Sequence, residues 1–175
     1  MTLPPLKPSD QVREELRASL QEMDLEITKE FDTNEFSGFW TKFGDFPVLI
    51  ENRKPLKYCV VAFQITFSDE AIIGTLNDHY ERQDHGFMFR LTRVFTSPET
   101  SFTRVVENGR VIGFTVLKSI YPFHEGFSVR ELDQAIQAVV SVGDVGIAFL
   151  KSEMGPIALD HTPPRPAPEP EEMYG

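Results

Sequence analysis

The side chains best equipped for chemistry lie in one run, Asn77-Asp78-His79-Tyr80-Glu81-Arg82-Gln83-Asp84-His85. Glu81 and His85 are four apart and would share a helix face, and carboxylate and imidazole are both metal ligands. A metal site needs at least one more convergent ligand. Asp78 and Arg82, also four apart, make an ordinary surface ion pair. The run therefore reads first as a solvated helix face. His124-Glu125-Gly126 stands before a helix start, where an imidazole could sense pH or meet an anion. A loop histidine of no special role is the simpler reading. The single cysteine, Cys59, sits in an apolar run with nothing near it in sequence to lower its pKa, so it reads as a buried structural thiol.

One cysteine excludes an intramolecular disulfide and a cysteine-rich zinc site. There is no P-loop, Gly-rich dinucleotide loop, nucleophile elbow or zinc-protease helix motif. No catalytic, cofactor-binding or metal residue is assigned, no cofactor is expected, and the chain is expected not to be an enzyme. The formal net charge is -10, with 27 acidic against 17 basic residues. Nucleic-acid backbones repel such a domain at long range, so direct nucleic-acid binding is not expected. Met1 to Lys7 shows no signal-peptide pattern, and no apolar run approaches the roughly 20 residues of a membrane helix. A cytoplasmic setting away from membranes is the expectation.

The elements that must position these residues fit one domain in 175 residues. Residues 1–8 are Pro-rich and extended, 9–154 form a single α+β domain, and 155–175 are a disordered Pro/Glu tail. Ser9 caps a helix whose stripe Val12, Leu16, Leu20, Met23, Ile27 and Phe31 carries it from about Asp10 to Glu30. Residues 36–67 read as strands, with a Gly44-Asp45 turn and an alternating face of Cys59, Val61, Phe63, Ile65 and Phe67. Ser68 caps a second helix with the stripe Ile72, Ile73, Leu76 and Tyr80, ending near Gln83. Phe87 to Phe95 reads as a strand. Asn108-Gly109 then turns a hairpin in which Glu107 opposes Arg110, Val106 opposes Val111 and Val105 opposes Ile112. Ser128 and Glu131 form a capping box for the last helix, which Gly143 and Gly146 weaken or open to a close contact. The fold class is α+β, an antiparallel sheet with helices packed on it, in the order helix, strands, helix, strands, helix.

The strands carry more apolar residues than one covered face needs. Val105, Ile112, Phe114 and Val116 would share one face of the hairpin, and Phe102, Val106, Val111 and Leu117 the other. A sheet with one wet face alternates more cleanly. Helix, a second subunit or a client protein would each cover the surplus. The candidate interfaces are the second helix (Ile72, Ile73, Leu76, Tyr80) and the outer sheet face (Phe102, Val106, Val111, Leu117).

From about Tyr58 to Gly146 the chain resembles the YbjN family of bacterial proteins. The points of similarity are the strand ending in Phe63–Phe67, the Leu76-Asn77 pair, the segment Phe87–Phe95 and the Asn108-Gly109 hairpin. The Glu125-Gly126-Phe127-Ser128 entry to the last helix, with Leu132 and Ile136, completes the order. That family shares its architecture with type III secretion chaperones. The resemblance implies a small acidic homodimer that binds client or regulatory proteins without nucleotide, as a chaperone or adaptor. It carries over no catalytic residue. A ligand-sensing regulatory domain, which needs a polar-lined cavity, is the alternative, and a metal-dependent enzyme ranks last.

Overall fold

A computed structural model describes residues 5–157 and 159–160. The elements are α1 (Ser9–Glu22), β1 (Ile27–Asp32), β2 (Phe36–Phe43), β3 (Phe46–Arg53), β4 (Cys59–Phe67), α2 (Glu70–Glu81), α3 (His85–Phe95), β5 (Ser101–Glu107), β6 (Arg110–Ile120), α4 (Val129–Met154) and β7 (Leu159–Asp160). Six strands pair antiparallel in the order β1-β2-β3-β4-β6-β5, and β7 pairs the end of β4. The class is α+β, with the helices on one sheet face.

Period-two alternation fixes that face. Val48, Ile50, Cys59, Val61, Phe63, Ile65, Phe114 and Val116 are all buried beneath the helices. The two-residue Gly44-Asp45 turn joins Phe43 to Phe46, with Gly44 at φ 60°. Asn108 and Gly109 both take positive φ, 50° and 76°, and seat Glu107 opposite Arg110 and Val106 opposite Val111. The expected pairing of Val105 with Ile112 does not form. A bulge between Val105 and Val106 places Val105 opposite Gly113. A second irregularity, between Ile27 and Lys29, interrupts β1.

Three further expectations are corrected. First, α1 stops at Glu22 and does not run to Glu30. Asp24 takes φ 55°, while the Leu25 amide bonds Leu20 O and the Asp24 amide bonds Gln21 O. That is a Schellman stop with aspartate where glycine is usual. Ile27–Asp32 becomes an edge strand, clamped to α1 by Arg13 and Arg17 on Glu30. Second, Phe87–Phe95 is helix. Asp84 accepts the Phe87 amide and caps it, and Phe87, Leu91 and Phe95, four apart, are all buried. Asp69 caps α2 in place of Ser68, accepting from the Ala71 amide. Third, the segment after α4 does not leave the fold at 155. Ile157 is buried and Leu159 pairs Phe67. The expected disorder thus falls on 161–175, outside the described residues.

Asn77 explains how the hairpin joins the rest. Strand β4 ends at Phe67, so β6 outruns its partner at Val111. From α2 the Asn77 amide takes the place of the missing strand. It donates to Val111 O at 2.9 Å, accepts the Val111 amide at 2.9 Å, and donates to Ile73 O at 2.7 Å. No buried backbone group is left without a partner there.

The last helix opens on the expected capping box, with Ser128 accepting from Glu131 N and Glu131 accepting from Ser128 N. By length and composition α4 could cross a membrane, at a mean hydropathy of 1.4, contrary to the sequence expectation. Here it is the core helix, burying Leu132, Ile136, Val139 and Leu150. Gly143 and Gly146 allow that approach: a Cβ on Gly143 would lie 2.0 Å from the Phe63 ring, and one on Gly146 2.1 Å from the Phe95 ring.

Two outcomes are expected in denaturant and thermal unfolding. Gly143→Ala and Gly146→Ala each gain helix propensity yet overpack a ring, so each lowers stability by about 1–3 kcal/mol. Asn77→Ala leaves the Val111 amide and carbonyl unpaired and costs about 1–3 kcal/mol, against little change for Asn77's exposed neighbour in Asp78→Ala.

Candidate interaction surface

The eight interface candidates divide sharply. Ile72, Ile73 and Leu76 are 6%, 5% and 0% exposed and belong to the chain's own core, so the α2 stripe offers no contact surface in this fold. Tyr80 is half-buried under the Arg104 guanidinium, 5.3 Å from its ring centre. Phe102 packs inward, its ring 5.5 Å from Phe95 and 6.1 Å from Phe114. Val111 is buried beside Asn77. Phe102 and Val111 are corrected from outer face to helix face. The cause is the bulge, which shifts the alternation, together with α2 and α3 covering this end of the hairpin. Val106 is exposed at the hairpin tip. Leu117 alone stands on the outer face, half-buried.

That outer face is built from the register. Trp40 lies opposite Leu49, Leu49 opposite Ala62, and Ala62 opposite Leu117. The four side chains form one apolar row across β2, β3, β4 and β6. Phe31 lies over Gly38 in the next row, and Phe36 faces Arg53, whose guanidinium is 6.0 Å from the ring centre. Tyr58 and Tyr121 flank the far end, 6.4 Å apart. Trp40 and Ala62 are only 7% and 6% exposed, whereas Tyr121 is 57% exposed. Among the described residues no helix lies on this face. Trp40, Leu49, Ala62 and Phe31 were missed in the sequence. The signal was present, since a two-residue turn at Gly44-Asp45 forces Trp40 opposite Leu49 once the alternation is followed through it.

The charges of this face run against those of the whole chain. Lys29, Lys42 and Arg53 are exposed outer-face residues of β1, β2 and β3, and none has an ion-pair partner among the described residues. Glu51 is the only acid at an outer-face position of β1–β4 or β6 among the described residues. It is half-buried between Gly38 and Val60, and the desolvation pushes its carboxyl above the usual range, against the pull of Arg53. By contrast Glu30, Asp32, Glu70 and Glu153 face the helix side and are held by Arg13, Arg17, Lys54, Arg110 and Arg90.

The run from Asn77 to His85 does not assemble the ligands considered above. Helix α2 ends at Glu81 and Gln83 turns at φ 52°, so Glu81 and His85 share no helix face. Among the described residues no three His, Cys, Asp or Glu side chains converge as metal ligands. His79 instead locks the α2–α3 joint: its Nδ1 is 3.0 Å from Asp84 Oδ2, and its ring stacks on Phe87 at 4.0 Å. The Phe87 amide, and then His79, hold the Asp84 carboxyl below its usual range. Asp78 and Arg82 approach to 3.7 Å on the surface. His124 is exposed, 6.2 Å from the Tyr121 ring. A cleft between α1 and the sheet, lined by Arg13, Asn52 and Cys59 among others, holds about 20 Å³. That is room for a water molecule and not for a metabolite.

Cys59 is 1% exposed, and burial pushes its thiol up to about 12. It should therefore resist a disulfide reagent at pH 8 in the native protein and react fully in denaturant. Rapid native labelling would overturn that placement.

No protein-family model matches the chain. No curated protein matches it either. Among solved structures it is similar to an uncharacterized protein from Methanothermobacter thermautotrophicus, with a TM-score of 0.67 at 14% identity, over 82% of this chain and 99% of that one. At that identity the likeness bears on the fold alone.

Proposed function

We propose that this chain is a non-catalytic protein-binding module of chaperone or adaptor type, and that its outer sheet face is where a client segment lies. The observation that carries the reading is the row Trp40–Leu49–Ala62–Leu117, which no helix of the described chain covers. Trp40 and Ala62 are nearly closed to solvent within the row, but Leu49 and Leu117 stay half-open and Tyr121 at its far end is exposed, which gives a partner apolar surface to cover. The rim cations Lys29, Lys42 and Arg53 favour a client with acidic side chains among its apolar ones. The resemblance to the YbjN family and to secretion chaperones points the same way. A homodimer and a cytoplasmic setting belong to the same proposal. Since Ile72, Ile73 and Leu76 are core, the subunit contact in this reading is not the α2 stripe.

The test uses a permanently unfolded, acidic, carboxymethylated protein as model client. Wild type should bind it and slow its aggregation. Leu49→Gln and Leu117→Gln should weaken binding about tenfold together while the circular dichroism spectrum is unchanged. No binding by the wild type, or equal binding by the double variant, would sink the reading. Sedimentation at micromolar concentration should return a dimer; a monomer removes the homodimer from the proposal.

A further inference from the structure

We propose that the chain's own acidic segment 161–175 occupies the outer sheet face until a client displaces it. This rests on the client-binding reading of that face and adds its regulation. Three observations argue for this occupant. The first is where the described chain ends. Asp160 pairs with Thr66, an outer-face residue of β4, so the segment departs at the rim of this face. The second is charge. Residues 161–175 hold Glu169, Glu171 and Glu172 with one cation, Arg165, whereas the face presents Lys29, Lys42 and Arg53 without ion-pair partners among the described residues, against the single carboxylate of Glu51.

The third is reach. Strands spaced about 4.8 Å apart and rising about 3.3 Å per residue put Lys42 roughly 12 Å, Lys29 roughly 20 Å and Arg53 roughly 26 Å from Thr66. Glu169 and Glu172 stand nine and twelve residues beyond Asp160. At about 3.1 Å per residue a polyproline helix carries them about 28 and 37 Å, enough to meet all three cations. Pro163, Pro164, Pro166, Pro168 and Pro170 favour that extended form, and a proline-rich chain docks well on aromatic side chains such as Phe31, Phe36 and Tyr121. A second copy is the poorer occupant, because stacking two such faces sets Lys29, Lys42 and Arg53 against their like.

The experiment uses the full chain with Glu171→Cys carrying a nitroxide label. Buried Cys59, its thiol raised to about 12, stays unlabelled. Paramagnetic broadening should fall on amides of β2 and β3 around Lys42, Leu49 and Arg53 and spare α3. It should fade in about 1 M NaCl, where the screening length is about 3 Å. A Lys29→Glu, Lys42→Glu, Arg53→Glu variant should lose it, and Glu51→Gln should deepen it. Mixing labelled with isotope-labelled unlabelled chain separates the sources: broadening within one chain supports the proposal, and broadening only between chains overturns it in favour of a second copy. Broadening spread over all surfaces also overturns it. The carboxymethylated client gives an independent arm. With Glu169→Lys, Glu171→Lys and Glu172→Lys together, client affinity should rise severalfold. Unchanged client affinity with no localised broadening removes the self-docked segment while leaving the client-binding reading intact. No client binding by any variant removes that reading, whatever the label shows.

Discussion

The distance of α4 from the sheet governs the rest of the molecule. Two rings, Phe63 from β4 and Phe95 from α3, occupy the space where side chains of Gly143 and Gly146 would be. The helix therefore settles directly onto the aromatic layer, and Phe95 in turn stacks on Phe114 at 5.1 Å. Helices α2 and α3 and strand β6 are drawn into one packed body around that contact. Helix α1 then closes the near side by its arginines on Glu30. With four helices gathered on one side, the far side of the sheet is left to whatever the molecule meets. Close packing and outward exposure are thus two results of one arrangement.

Much of this was legible in the residues. The β4 alternation, the Asn108-Gly109 and Gly44-Asp45 turns and the Ser128–Glu131 cap each depend on local chemistry, and each stands where the spacing put it. The failures are of another kind. The stripe Leu16, Leu20, Met23, Ile27 and Phe31 continues smoothly past the true helix end. What halts the helix is a left-handed residue, and Asp24 carries no glycine's signature. Phe87, Phe89 and Leu91 alternate as a strand would, but Phe87, Leu91 and Phe95 also recur at helical spacing. Phe89, 63% exposed under Arg93, shows which period won. The site was half legible. Leu117 was placed correctly, while Phe102 and Val111 were assigned to the wrong face because a bulge is silent in the sequence. Trp40 and its row required carrying register across three strand pairs.

Charge is sorted by layer as well. Several acids on the helical side are tied by arginine, and Lys29, Lys42 and Arg53 stand on the other side without an ion-pair partner among the described residues. The half-buried Glu51, with its carboxyl raised by desolvation, tempers the field at the centre of the face.

The irregularities at the two ends of the sheet have a further effect. One puts an extra residue, Thr28, into the edge strand β1, and the other puts Ile112 into β6 where it pairs with β5. The open rim at β1 is thereby bent out of a straight ladder, so a neighbouring molecule finds no continuous row of amides and carbonyls to zip against there. That rim of the sheet is protected in this way from edge-to-edge pairing into fibres.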